Sequence, residues 1–222
     1  MFVIFNKGDS NAFLRYKEDI MTIEQAIESR RTLRDFADRP VPQEIVRAAL
    51  EAGLKAPSYN HQKEWDFLLV RDALLRRALI QAGRLGGAAV TRDDLPGLEP
   101  LAQDMYLDAI PKQGKMILTA PEVLVVVYKP KTQIAQSQRV SDLNCLAAVW
   151  CCIQNILLAL AAHDVYGTTM VPDHTAEIKE VLGIPQQLEV AVLLPFGYKA
   201  PDAHSIPQKD VPLDAKLHID RW

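Results

Sequence analysis

Val123 to Tyr128 reads Val-Leu-Val-Val-Val-Tyr, an almost unbroken apolar, β-branched run with no polar position in it. A strand without apolar–polar alternation has to be covered on both faces, so the run predicts a central strand with packed layers above and below. Trp65–Val70, Val165–Val171 and Leu188–Phe196 read as further strands, each bounded by turn or breaker residues.

The remaining periodic stretches are helical. Thr22 and Gln25 form a capping box that opens a helix through about Arg31. Pro42 sits in the first turn of a second helix, whose apolar face is Ile45, Val46, Ala49, Leu50, Gly53 and Leu54, and Pro57 ends it. Residues 73–82 and 101–118 also read as helices. Ser141 is a good N-cap for a helix through about Ala162 that is apolar all round, which places it in the core or at a subunit interface. Asp173 caps a last helix that Gly183 terminates.

Between these elements, Gly83, Gly86, Gly87, Pro96, Gly97 and Pro100 punctuate residues 83–100, a pattern expected of a functional lid covering about 83–118. Three parts follow: an N-terminal extension (1–20), one domain (21–198) and an extended C-terminal arm (199–222) carrying Pro201, Pro207 and Pro212.

At 222 residues the chain suffices for one domain with a sizeable core. No uninterrupted apolar run approaches ~18 residues, and the short apolar start is followed at once by polar residues, so a cytoplasmic protein with no membrane partner is expected. Cys145, Cys151 and Cys152 fall in one apolar stretch, which suits reduced, packed thiols. The net charge of −3 offers no global field for nucleic acid. Any anion must be bound locally.

Arg30, Arg31, Thr32 and Arg34 supply that local charge: three guanidiniums and a hydroxyl within five residues, at spacings that let two forks converge on one phosphate. The alternative is a solvated basic face paired with Glu28, Asp35 and Asp38. Pro57, Ser58, Tyr59 and Asn60 form a small polar turn able to aim backbone donors at a planar ring, or simply a helix stop. Thr168, Thr169, Met170 and Val171 end a strand with two hydroxyls, either facing a ligand or packing across strands. No metal-ligand spacing, nucleophile elbow or dinucleotide fingerprint occurs, and no metal is expected.

Taken together, S-R-R-T-L-R-D-F (29–36), P-V-P-Q-E (40–44), K-A-P-S-Y-N-H-Q-K-E-W-D-F (55–67) and G-I-P-Q-Q-L-E-V-A-V-L-L-P-F-G-Y (183–198) resemble the FMN-dependent nitroreductase family. The stretch from T-A-P (119–121) onward is similar to its iodotyrosine-deiodinase branch. The resemblance implies an α+β fold with a mixed, mainly antiparallel sheet flanked by helices, in an intertwined homodimer with swapped C-terminal arms. It implies FMN as cofactor and NAD(P)H as reductant, in a ping-pong cycle that delivers hydride to flavin N5 and then reduces a small aromatic acceptor, a nitroaromatic or a quinone.

By the same resemblance, Arg30, Arg31, Thr32 and Arg34 bind the phosphate, ribityl chain and pyrimidine edge of FMN. Pro57, Ser58, Tyr59 and Asn60 lie along the ring from the other subunit. Thr168, Thr169, Met170 and Val171 approach the N5 edge, with Thr169 the hydrogen-bond donor there, and Lys209 in the arm helps hold the phosphate. No protein side chain serves as a catalytic group, because the flavin carries the hydride. This chain departs from the family at Lys63-Glu64-Trp65, where Gln-Pro-Trp is usual, and in having Lys209 where an arginine is common. Segment 83–118 shows no clear match to the Glu, Tyr and Lys clamp of the deiodinases. The alternatives are a reductive dehalogenase of halophenols or halotyrosines, a flavin-fragmenting synthase, and a flavin-binding protein without turnover.

Overall fold

The computed structural model describes residues 21–222; the predicted N-terminal extension lies outside them. Strands β1 (Trp65–Leu69), β2 (Glu122–Tyr128), β3 (Val165–Gly167) and β4 (Glu189–Tyr198) form one sheet in the order β1-β2-β4-β3. All pairings between these strands are antiparallel, and one isolated parallel bridge joins Thr32 to Gly167. The helices are α1 (Ile23–Ser29), α2 (Gln43–Gly53), α3 (Ala73–Ala82), α4 (Pro100–Ala109), α5 (Gln113–Thr119), α6 (Asn144–Ala161) and α7 (Thr175–Leu182).

The β-branched run is the inner strand that its composition demands. Leu124, Val126 and Tyr128 face one core, shared with α2 and α6, whereas Val123, Val125 and Val127 face a second core with α3, α5 and α7. The strict alternation of the two sets is the period of the pleat. Opposite Val126 and Val127 the register slips by one, leaving Ala191 of β4 as the extra residue of a β-bulge.

The capping box at Thr22 and Gln25 is present in full. Several boundaries differ from expectation, and α2 ends at Gly53, ahead of Pro57. The first helix stops at Ser29, two residues early, with Arg30 as its C-cap. Residues 101–118 are two helices, because Pro111 has no N–H to continue the ladder and a 3-10 turn (Ile110–Lys112) intervenes. Ser141 is not an N-cap: it lies inside a 3-10 turn (Val140–Leu143) in which Asp142 accepts from the backbone N–H groups of Gln138 and Arg139, and α6 opens at Asn144. Asp173 is likewise one residue too early, His174 taking the N-cap of α7, whereas Gly183 ends that helix with φ 65° as a left-handed cap.

The strand expected over Val165–Val171 ends at Gly167. Thr168 N–H donates to the Pro195 carbonyl at 3.2 Å, but Pro195 has no N–H to return, so the ladder breaks and resumes only at the Met170–Leu193 bridge. This leaves Thr169 outside the regular pairing.

The Val140–Ala161 stretch is long and apolar enough to cross a membrane by length and composition. Here it is a core helix: Val149, Cys152, Ile153, Ile156 and Leu160 are buried against α2 and the sheet. Its other face, with Ala147, Trp150, Cys151 and Gln154, is exposed on the single chain. Beyond Tyr198 the chain runs without α-helix or strand, with Val211, Leu213, Leu217, Ile219 and Trp222 exposed.

Candidate functional site

Segment 30–37 leaves α1 and is stitched to the sheet. Thr32 bridges Gly167, Phe36 bridges Lys199, Ala37 N–H donates to the Tyr198 carbonyl at 2.9 Å, and Ala200 N–H donates to the Asp35 carbonyl at 3.2 Å. Arg30–Arg34 and Thr168–Met170 thereby meet at one corner, where β3 gives out.

The arginines there behave differently. Arg30 is half-buried at the C-cap of α1. Arg31 Nη1 donates to the backbone carbonyls of Glu28 and, at 2.8 Å, of Arg30, placing its charge at the negative end of the helix dipole. Its charge also reaches Tyr166, whose hydroxyl is held above its ordinary value by burial first and by Asp164 second. Arg34 is 6% exposed, and its partner is none of the nearby carboxylates: Nη1 donates to Asp108 at 2.7 Å, 74 residues along the chain. Its Nε is buried without a partner, as is Trp65 Nε1.

Asp108 belongs to α4 and begins a relay of charges. It also accepts from Lys112 Nζ at 2.5 Å; Lys112 reaches Asp35 at 2.5 Å; Asp35 holds Lys115 at 2.9 Å. Burial disfavours the charged forms of Asp35 and Lys112, but their mutual hydrogen bonds and charges outweigh it. Asp35 is held below its ordinary value, by Lys112 and Lys115, and Lys112 above its own, by Asp108 and Asp35. Two carboxylates thus serve three cations, one of them the buried Arg34.

Pro57–Asn60 lie elsewhere. Ser58 and Tyr59 border Trp65, Cys145 and Ala148 beside the start of α6, whereas α1 packs by Asn155, Leu158, Ala159 and Ala162 near its end. Cys145 and Ala159 stand ~20 Å apart along the helix at 1.5 Å per residue. The turn is held in an unusual backbone state, with Asn60, His61 and Lys63 at φ 50°, 56° and 50°, and Ser58 Oγ accepting from Lys63 N–H at 3.1 Å. Lys63 Nζ donates to the Leu54 carbonyl, tying turn to helix. Lys209 is exposed in the extended arm.

Asp108, Lys112 and Lys115 were not among the residues the sequence singled out. The i,i+4 spacing of Asp108 and Lys112 is a signal, but such pairs are common on solvated helices. Among the described residues no group of three or more His, Cys, Asp or Glu side chains is placed to hold a metal ion.

Comparison with known proteins identifies the fold and the family. The chain is 25% identical over 203 residues to an NADH dehydrogenase of Thermus thermophilus, covering 88% of this chain and 94% of that protein. It is 22% identical over 184 residues to an iodotyrosine deiodinase of Haliscomenobacter hydrossis, covering 81% and 80%. The crystal structure of an oxidized iodotyrosine deiodinase bound to FMN and 3-iodo-L-tyrosine superposes with a TM-score of 0.70 at 19% identity, covering 90% of this chain and all of that one. The model of the Nitroreductase family matches residues 27–198. On the strength of that match, over most of a chain with the α+β architecture its motifs imply, the protein belongs to the Nitroreductase family.

Proposed function

We propose that this FMN-dependent oxidoreductase takes hydride from NAD(P)H and passes the electrons to a small aromatic acceptor, such as a nitroaromatic or a quinone, in two half-reactions at one site. The observation that carries the reading is Arg34, a buried guanidinium with an unpartnered Nε, standing among Arg30, Arg31 and Thr32 and across from Thr168 and Thr169. A donor set that is wholly cationic or hydroxylic fits the anionic phosphate and the oxygen-bearing pyrimidine edge of FMN.

In this reading Arg30 and Arg31 fork onto the phosphate, Thr32 donates its hydroxyl to the ribityl chain, and Arg34 presents Nε–H to the pyrimidine edge. Thr169, freed from the ladder by Pro195, offers its hydroxyl at N5, and Thr168, Met170 and Val171 wall that edge. Bound there, the flavin supplies the two-electron hydride chemistry that no side chain of this protein can. Pro57, Ser58, Tyr59 and Asn60 stand at the other end of α6 from the arginines, which supports their reaching the ring from a second subunit.

A homodimer also has surface to form on. The exposed side of α6 carries Trp150 and Cys151, and a groove of about 340 Å3 between α1, α2 and α6 is lined by Ile23, Ala26, Leu158 and Ala159. The C-terminal arm, with Lys209 in it, carries exposed Val211, Leu213, Leu217, Ile219 and Trp222 among its charged residues and supplies a strap to cross to a partner. The expected lid over 83–118 narrows to residues 86–112, because Leu85, Met116 and Ile117 are buried in the second core; residues 86–112 serve as the lid over the acceptor.

Anaerobic stopped-flow absorbance tests the reading. The purified protein should carry flavin absorbance, bleach with NADH or NADPH, and regain its colour with a nitroaromatic or quinone. A flavin that no nicotinamide bleaches would refute it. Similarity to the deiodinases favours one second reading, reductive dehalogenation of halophenols; reoxidation of the reduced protein by a halotyrosine, with halide release, would select it.

A further inference from the structure

We propose that Asp108 is a positioning residue that couples closure of residues 86–112, the coil and α4 that lie outside the core, to the charge presented to the flavin by Arg34. The inference rests on the reading above, in which Arg34 faces the pyrimidine edge. It stands on four observations. Arg34 and Asp108 are both largely buried, their side chains 7% and 12% exposed, and pair at 2.7 Å. The pair is the most buried of the ion pairs that join residues 86–115 to the 30–37 segment that carries the arginines. Asp108 is shared with Lys112, so its charge is divided between two cations. Arg34 keeps its buried Nε, which has no partner, in hand for another acceptor.

A buried carboxylate beside a guanidinium neutralises much of the field that the guanidinium would otherwise exert on its other neighbour. With residues 86–112 docked, Asp108 therefore moderates Arg34; with them undocked, Arg34 confronts the ring edge with its full charge and favours the electron-rich, reduced form of the cofactor. Lys112 acts in the opposite sense by drawing on the same carboxylate. Arg92 ties the outer part of the segment together through Asp104 at 2.5 Å and Gln103 at 3.0 Å, so that α4 and the preceding coil dock as one piece.

The test uses the holoprotein and two readouts other than turnover: the midpoint potential of bound FMN, by reductive titration against a dye, and the rate of tryptic cleavage at Arg92, which is exposed. Asp108→Asn keeps the shape and removes the charge. It should favour reduced over oxidised FMN about tenfold, a rise of ~30 mV for a two-electron couple, and speed cleavage several-fold. Lys112→Met leaves Asp108 wholly to Arg34, so it should speed cleavage while lowering the potential. This opposite sign is what a purely structural role would not produce, and it decides the matter alone if Asp108→Asn does not fold. Variants that bind FMN with the wild-type potential, or a Lys112→Met potential that is unchanged or raised, overturn the inference alone. A wild-type chain that does not quench FMN fluorescence overturns the inference and the site reading together.

Discussion

Gly53 of α2 faces Ile156 of α6 so closely that a Cβ built on Gly53 would stand 2.8 Å from Ile156 Cγ1 and 2.9 Å from Cys152 Sγ. Both neighbours are fully buried in the core shared with the sheet, so neither has room to yield. Gly53→Ala gains ~1 kcal/mol of helix propensity and loses about 1–3 kcal/mol to overpacking. We expect net destabilisation of ~1 kcal/mol or more, read as a lowered denaturation midpoint with an unchanged m-value.

The arginine cluster can be tested without disturbing the core. Arg30 and Arg31 are only half-buried, so the double variant Arg30→Ala/Arg31→Ala should retain its fold, at a cost of about 0.5 kcal/mol. Its FMN affinity, measured by fluorescence quenching, should fall at least ~10-fold, because each guanidinium–phosphate fork is a charge-assisted, bidentate contact. Undiminished affinity would return the cluster to a solvated basic face.

Asp35 and Lys112 set a pH window for stability. Asp35 is held below its ordinary value of 3.8, so its contribution is present above that value and is lost as pH falls through the lower, folded-state one. Lys112 is held above its ordinary 10.5, so its contribution is present below that value and is lost as pH rises through the higher one. The charge relay should add a constant amount to stability between these limits. Asp35→Asn should shift the midpoint equally at pH 6 and pH 9 and converge on wild type below the acid limit, in urea melts across the series.

Thiol chemistry distinguishes Cys152 from Cys151. Cys152 is buried, and burial, followed by the neighbouring Cys151, pushes its thiol up to about 12; it should stay silent toward a disulfide reagent until the protein unfolds. Cys151 is exposed on the single chain. Slow labelling of Cys151 that quickens on dilution would locate this face of α6 in a subunit interface, whereas immediate labelling at every concentration would place it in solvent.

The elements most legible in the sequence were those dictated by local chemistry or by burial on both faces. The capping box at Thr22, the whole of α3 and the run that became β2 need little beyond their own residues to specify them. What the sequence concealed depends on partners distant along the chain. Ser141 has the chemistry of an N-cap, yet Asp142 takes the local donors and delays the helix. Val165–Val171 has strand character throughout, but its ladder fails because the residue opposite Thr168 is Pro195. Arg34 looked like one of three equivalent arginines; only the docking of α4 separates it from the others and gives it Asp108.

A helix that spans a molecule also keeps its gauge. α6 has Ser58 and Tyr59 near one end and the helix leading to the arginines near the other. One inserted residue within it would turn every side chain beyond the insertion by about 100° and push it 1.5 Å outward. Insertions can therefore accumulate in the glycine-punctuated stretch before α4 or in the C-terminal arm. Within α6 change is confined to substitution, and the ruler between its two ends stays the same length while the loops around it vary.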